Sequence, residues 1–298
     1  MTDITLINVS IGQNFQGKIV YKHNAVGILY VLSALERAGF SVAFREHFLD
    51  YRLSFQEELD RFMSLVDDSS RWIGIGCHSV HLPFVVRIGQ ELKKSFPGKK
   101  IILGGVGPSA VAEDLLEKFP FIDVVVIGEA EETIAEVLKN ENNLASVDGI
   151  AHRGRGRVFL NRPRCPTQDL DALALPAYHA LDFSQYQISV LITSRGCPFA
   201  CRFCSLSALW GKKVRYRTVQ NVLEELKILV GQHGAKHIFV GDSTFVIDRN
   251  RAIELCRGFK SLNLDFRWEC LVRLDSMDEQ LMQLAFDPIL NRPLDFNP

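Results

Sequence analysis

Along the first 140 residues, short apolar runs alternate with longer segments whose apolar positions recur every three or four residues. Ile4–Val9 is β-branched and continuously apolar, the pattern of a strand buried on both faces of a parallel sheet. From Ala25 the run AVGILYVLSALERAG is apolar nearly all round and closes on Gly39, a helix with a glycine cap. Phe40–Phe48 alternates like a second strand, and FQEELDRFMSLV from Phe55 has helical spacing. Trp72–Ser79, Lys100–Gly105 and Phe121–Gly128 predict three further strands. Helices are predicted between them, over LPFVVRIGQELKKSF from Leu82 and around Ala110–Lys118, and Glu131–Lys139 closes the series. Five strands with intervening helices specify an α/β fold, a doubly wound, Rossmann-like parallel sheet with helices on both faces.

Ligands of such sheets sit beyond the carboxyl ends of the strands. Those ends read Ser10-Ile11-Gly12, Cys77-His78-Ser79, Gly104-Gly105-Val106-Gly107 and Gly128-Glu129. Glycines there either let a backbone approach a large flat or phosphate-bearing ligand, or simply make tight βα turns. With no GxGxxG and no Walker lysine, spacing alone does not choose between them. His78 and His81 flank Cys77 but have no second ligand pair at zinc spacing. They read as a loop facing the crevice or as ordinary surface histidines.

After Lys139 the pattern weakens. Asn140–Val147 is polar, and two short runs around Gly154-Arg155-Gly156 predict a β-hairpin. Pro163, Pro166 and Pro176 mark an irregular connector, in which Cys165 has no nearby partner. The arginines at 153, 155, 157, 162 and 164 read as a solvated face. Strand and helix patterns resume at Ile188–Thr193, followed by a helix opened by Thr218 and a strand over Lys236–Val240. A helix over Ile247–Ser261 with Cys256 in its core face, a strand over Phe266–Val272 and a helix from Met277 to Phe286 complete the pattern. The expected division is 1–140, 141–187 and 188–298.

The 298 residues are 47% apolar and 23% charged, with a net charge of −1, the composition of a packed globular chain of about two domains. Near-neutrality argues against a general nucleic-acid or anionic-membrane binder. MTDITLINVS has neither a basic n-region nor a long apolar core, and no stretch is long enough to span a bilayer, so a cytoplasmic protein is expected. Seven cysteines in such a chain call for metal or redox chemistry before disulfides.

Three of them stand in Ser194-Arg195-Gly196-Cys197-Pro198-Phe199-Ala200-Cys201-Arg202-Phe203-Cys204, directly after a predicted strand. Thiolates at C-x3-C-x2-C on one loop can wrap a small inorganic cluster. A zinc site would want a fourth ligand, and no Cys or His follows until His233. A cluster with cysteine on every iron would also need a fourth thiolate; three leave one iron open.

This loop resembles the signature of the radical SAM superfamily. The first half is similar to the cobalamin-binding domain that precedes the catalytic domain in B12-binding radical SAM proteins. Ala25–Phe40, Gly104-Gly105 and Gly128-Glu129-Ala130-Glu131-Glu132-Thr133 carry that likeness. The resemblance implies that Cys197, Cys201 and Cys204 hold a [4Fe–4S] cluster whose open iron binds S-adenosylmethionine. One-electron cleavage then gives methionine and a 5′-deoxyadenosyl radical. Phe203 falls at the position beside the adenine. Asp242, after the strand ending at Val240, falls where the methionine amino group is received, with a plain turn cap as the alternative. Arg273 ends the next strand where the family commonly has Arg, with a salt-bridged surface residue as the alternative. For cobalamin the implied residues are Ser79, Gly104, Gly105, Gly128 and Glu129, the Gly-Gly turn giving room to the nucleotide tail. The Asp-x-His-x-x-Gly of many corrinoid proteins is absent; Tyr21-Lys22-His23-Asn24-Ala25-Val26-Gly27 places His23 as a loop histidine instead.

The reaction implied is methyl transfer to an unactivated carbon, or a related radical reaction. It would be fed by an electron donor such as flavodoxin or ferredoxin, on a small-molecule or peptide substrate that the residues do not identify. A methylthiotransferase would bring three more cysteines in its first domain, where this chain has Cys77 alone. The stretch from Ile188 holds about three βα units, where the family's barrel has six strands. A partial barrel is therefore expected, and with it an alternative: a catalytically incomplete module that binds cluster and cobalamin only.

Overall fold

A computed structural model of the chain describes residues 2–11, 13–15, 18–20, 23–204 and 210–285. Gly12, Tyr21 and Lys22 of the first loop, the helix end at Phe286 and the proline-containing tail lie outside the described residues. The chain forms two compact units. The first comprises residues 1–20, 25–167 and 174–180; the second comprises 21–24, 168–173 and 181–298.

In the first unit, β1 (Ile4–Ile11) lies between β4 (Val42–Leu49) and β5 (Trp72–Cys77), all parallel. An antiparallel pair, β2 (Gln13–Phe15) and β3 (Lys18–Val20), stands in the first loop, where the sequence shows no strand pattern. β6 (Lys100–Gly104) and β7 (Val124–Val126) continue the parallel sheet beyond β5. The five parallel strands thus run in the order second, first, third, fourth, fifth, which puts the switch point between β1 and β5. Helices α1 (Val26–Arg37) and α6 (Glu131–Lys139) cover one face, their Leu32, Leu35, Ile134 and Val137 meeting Ile4 and Leu6. On the other face α2 (Phe55–Met63), α3 (Leu82–Ser95) and α5 (Ala112–Lys118) bury Phe62, Ile88 and Leu116 against Ile7 and Val9. The short α4 (Val106–Ala110) follows β6. This is the doubly wound α/β sheet that the alternating pattern predicts.

The hairpin predicted after Lys139, β8 (Ile150–Gly154) and β9 (Arg157–Leu160), does not stand free. β8 pairs antiparallel with β7 and extends the sheet to seven strands. Ile150 and Ala151 are fully buried there, so the hairpin belongs energetically to the first core.

In the second unit, β10 (Ser189–Leu191), β13 (His237–Val240) and β14 (Arg267–Cys270) form a parallel sheet in that order. Helices α7 (Val219–Lys227) and α8 (Arg249–Ser261) connect its strands, and α9 (Glu279–Ala285) follows. Thr218 caps α7, its hydroxyl accepting from Asn221 N at 3.2 Å. The helix ends in a π turn over Ile228–Gln232. Cys256 lies in the core, as its place on the apolar face of α8 predicts.

Burial holds four histidines below their ordinary value: His23, His47, His81 and His237. For His47 burial outweighs the pull of Glu58, whose carboxylate lies 2.7 Å from its ring in an almost fully buried pair. Well above pH 6.5 these imidazoles are neutral in both folded and unfolded chains. Below it the unfolded chain takes up protons that the folded one resists, so stability falls as pH falls. The urea midpoint followed by circular dichroism should therefore decline from pH 7 to pH 5; an unchanged midpoint would contradict the burial argument.

Candidate functional site

Because β10, β13 and β14 run parallel, the segments that follow them emerge at one end of the second sheet. The cysteine loop follows β10, Asp242 follows β13 and Arg273 follows β14. The loop leaves and re-enters through a narrow neck. There β11 (Ser194–Arg195) pairs antiparallel with β12 (Arg215–Tyr216), and Arg217 N donates to Thr193 O at 3.0 Å. One residue further in, Gly196 adopts φ +99° with its Cα face against the Lys213 carbonyl; Cys197 N then donates to Gly211 O at 3.2 Å.

The neck is held from behind by buried charge. One oxygen of Asp242 accepts from the backbone N–H groups of Thr193 and Ser194 at 2.7 and 3.0 Å. The other accepts from both of their hydroxyls at 2.6 Å. Burial pushes the Asp242 carboxyl up, and these four hydrogen bonds pull against that. Arg251, from the first turn of α8, donates to Thr193 O at 3.0 Å and to Arg217 O at 2.8 Å, tying together the two sides of the neck. Its guanidinium also stands over the Tyr216 ring, 4.9 Å from the centroid. Arg217 donates to Ile192 O at 2.8 Å and forms a buried ion pair with Glu225.

Inside the neck Cys197, Cys201 and Cys204 are partly exposed. Cys204 N donates to Cys201 O at 3.1 Å. The thiols elsewhere differ: burial pushes Cys77 and Cys270 up to about 12 and Cys256 to about 11, which makes them poor ligands. Cys165 is exposed in the connector. Arg273 reaches into the loop, with Nη1 3.6 Å from Cys201 Sγ and its guanidinium 4.0 Å from the Phe199 centroid. Phe203 is 93% exposed, a large apolar ring in solvent beside three thiols. Among the described residues no three His, Cys, Asp or Glu side chains stand in the geometry of a single metal ion. A [4Fe–4S] cluster distributes its thiolates over separate irons, so it asks for a wider spread. Three accessible sulfurs on one latched loop, one of them facing a cation, fit that donor set.

In the first unit the strand ends form a second candidate site. Ser79 and Val80 are exposed after β5. A Cβ on Gly104 or Gly128 would meet nothing within 4 Å, so there is open space at both. Gly105 and Gly107 have a different reason to be glycine. A Cβ on Gly105 would lie 2.6 Å from Cys77 O, and one on Gly107 would lie 2.8 Å from Ser79 Cα. These two let the turn after β6 pack backbone to backbone on the turn after β5. Ser109 Oγ accepts from Gly128 N at 3.1 Å and holds the turn after β7. Glu129 accepts from Thr167 N at 2.9 Å. At the end of β1, the buried Asn8 Nδ2 and Ser10 Oγ have no hydrogen-bond partner among the described residues. Orphaned polar atoms on β1 at the switch point, and open glycines after β6 and β7 at the same sheet end, fit a large ligand with polar groups of its own, such as a corrinoid. His81 is buried against the Val9 backbone, whereas His78 is exposed. His23 is counted with the second unit, where it bridges to Ile188 with its ring 5.9 Å from Phe239.

Reasoning from sequence does not find Arg251, Arg217 or Asp275, because their partners lie far away in the chain or across a turn of no fixed pattern. Of the residues expected at one cofactor, Phe203 lies within the cysteine loop, Arg273 contacts its Cys201, and Asp242 is buried at its base on Thr193 and Ser194.

Comparison with known proteins agrees with both halves. The model of the B12 binding domain matches residues 15–138, and that of the radical SAM superfamily matches residues 191–285. An uncharacterized methyltransferase of Pyrococcus horikoshii is 34% identical over 61% of this chain and 41% of its own length. An anaerobic magnesium-protoporphyrin IX monomethyl ester cyclase of Rubrivivax gelatinosus is 25% identical over 86% of the chain and 48% of its own length. This chain thus spans less than half of either relative. Among solved structures, the radical S-adenosylmethionine methyltransferase TsrM of Kitasatospora setae, with cobalamin and a [4Fe–4S] cluster bound, superposes with a TM-score of 0.72. It is 16% identical, with 96% of this chain and 59% of that one covered, a likeness of fold. With a B12-binding domain followed by a radical SAM domain, the chain belongs to the B12-binding radical SAM family.

Proposed function

We propose that this chain carries the cofactor-binding part of a cobalamin-dependent radical SAM methyltransferase acting on an unactivated carbon. Residues 1–140 would hold the corrinoid and 188–298 the cluster. The observation that carries the reading is the latched loop with three accessible thiols, delivered to the same sheet end as Phe203 and Arg273. When bound, the [4Fe–4S] cluster and S-adenosylmethionine would supply a 5′-deoxyadenosyl radical, and cobalamin would carry the methyl group.

The residues divide the work. Cys197, Cys201 and Cys204 would hold the cluster, and Phe203 would stand beside the adenine. Asp242 spends both oxygens on Thr193 and Ser194, so its part is to hold the loop in place rather than to meet the methionine amino group. For the corrinoid, Gly104 and Gly128 leave room, Ser79 is an exposed polar contact, and Gly105 shapes the turn. Glu129 fastens the connector through Thr167. Among the described residues no helix is long and apolar enough to cross a membrane. The proposal places the enzyme in the cytoplasm, with electrons from a reductant of the flavodoxin or ferredoxin kind.

Anaerobic reconstitution with iron and sulfide, then reduction with S-adenosylmethionine, should yield 5′-deoxyadenosine. A cluster that forms without cleaving S-adenosylmethionine would favour the module that only binds cofactors. Cys201→Ala should abolish normal cluster assembly, and an unchanged cluster spectrum would sink the ligand assignment. Hydroxocobalamin should be retained on gel filtration; its loss would remove the corrinoid and leave the cluster chemistry standing.

A further inference from the structure

Arg273 makes a set of contacts unusual for a solvent-facing arginine. Its Nε and Nη2 are spent on the two Asp275 oxygens at 3.0 and 2.6 Å, a bidentate pairing that fixes the plane of the guanidinium. The face of that plane rests on Phe199, midway along the loop between Cys197 and Cys201. What remains is Nη1, which donates to Cys201 Sγ. Asp275 is itself positioned by a tight turn over Leu274–Ser276, in which Ser276 N and Oγ both donate to Arg273 O at 3.1 and 2.7 Å. Three separate anchors therefore aim one N–H at one cysteine sulfur.

From this geometry we infer that Arg273 is a positioning and tuning residue for the metal centre: its Nη1–H···Sγ hydrogen bond to Cys201 raises the reduction potential of the cluster. The inference rests on Cys197, Cys201 and Cys204 as the cluster ligands. Reduction adds an electron to the cluster and raises the negative charge on its sulfurs, so a donor on a ligating sulfur stabilises the reduced form more than the oxidised one. The cation beside the sulfur acts in the same direction, and Asp275 moderates it by neutralising part of that charge. Removing either partner should therefore move the potential, in opposite directions. This sets the role apart from that of a carboxylate-binding arginine, whose loss would weaken S-adenosylmethionine binding and leave the cluster alone in its absence.

The test is a redox titration of the reconstituted full chain without S-adenosylmethionine, followed by electron paramagnetic resonance of the reduced cluster. Arg273→Gln should shift the midpoint to more negative values, Arg273→Lys should shift it less, and Asp275→Asn should shift it to more positive values. Affinity for S-adenosylmethionine, measured by equilibrium binding to the oxidised protein, should change by less than twofold in Arg273→Gln. If Arg273→Gln does not fold, the Arg273→Lys and Asp275→Asn pair decides by the sign of their shifts. Midpoints that stay at the parent value in every variant would overturn the inference. So would a loss of S-adenosylmethionine affinity with the midpoint unmoved, which assigns Arg273 to the cofactor's carboxylate. A parent chain that takes up no cluster overturns the ligand assignment, and this inference with it; a parent cluster with unmoved variants overturns this inference alone.

Discussion

Gly196→Ala should prevent cluster assembly while leaving the first unit folded. At φ +99° an alanine pays roughly 1–2 kcal/mol for the backbone conformation alone. The greater cost is steric. The new Cβ would fall well inside contact distance of the Lys213 carbonyl oxygen, 3.0 Å from its carbon and 3.2 Å from Val214 Cα. All three atoms are backbone, held between the β11–β12 pairing and the Cys197 N to Gly211 O hydrogen bond, so no side chain can swing aside to relieve the clash. The neck must open, which separates Cys197 N from Gly211 O and releases the first ligand from the frame that holds the other two. Gly211→Ala is the matching control. It has φ +77°, and its Cβ would meet nothing within 4 Å, so it carries the conformational cost without the clash. After anaerobic reconstitution, iron and sulfide per chain should fall at least fivefold in Gly196→Ala and less than twofold in Gly211→Ala. Equal retention in both would show that the neck does not control the loop.

The contrast between these two glycines also shows what could be read in advance. Cysteine spacing is a local property: three thiols that share an inorganic cluster must lie within one loop, so eight consecutive residues announce the chemistry. Strand and helix alternation in the first half is equally local, and its order of elements stands in the fold. By contrast, Gly196 looks like any turn glycine until Lys213 is placed against it, and that contact exists only once β12 has paired with β11. Gly105 misleads in the opposite way. A Gly-Gly turn suggests room for a ligand, yet only Gly104 faces open space, while Gly105 is packed on the Cys77 carbonyl. The hairpin after Lys139 has a clear pattern of its own, but nothing within it states that β8 will add antiparallel to β7. That choice depends on the exposed edge of a sheet already built.

Asp242→Ala should be among the most destabilising single substitutions in the second unit. The donors to Asp242 come from residues 48 and 49 positions earlier, so an adjacent Gly-Asp-Ser turn cannot reveal them. Removing the carboxylate leaves two buried N–H groups and two hydroxyls facing a void, with Arg251 close by and deprived of one of the negative groups around it. Breaking a buried charged network from one side costs about 3–5 kcal/mol, a large share of what holds a domain of this size together. Asp242→Asn separates charge from hydrogen bonding. Its oxygen can still accept from Thr193 N and Ser194 N, and the hydroxyls can rotate to accept from its amide. It therefore keeps the shape of the neck and loses only the ionic part. The order of thermal midpoints for the second unit should be parent, then Asp242→Asn, then Asp242→Ala, with cluster content falling in the same order. If Asp242→Ala matched the parent in both, the carboxylate would not be what holds the cysteine loop to its sheet. A large drop in S-adenosylmethionine affinity in Asp242→Asn, with stability and cluster content unchanged, would return Asp242 to the role of a direct ligand of the methionine amino group.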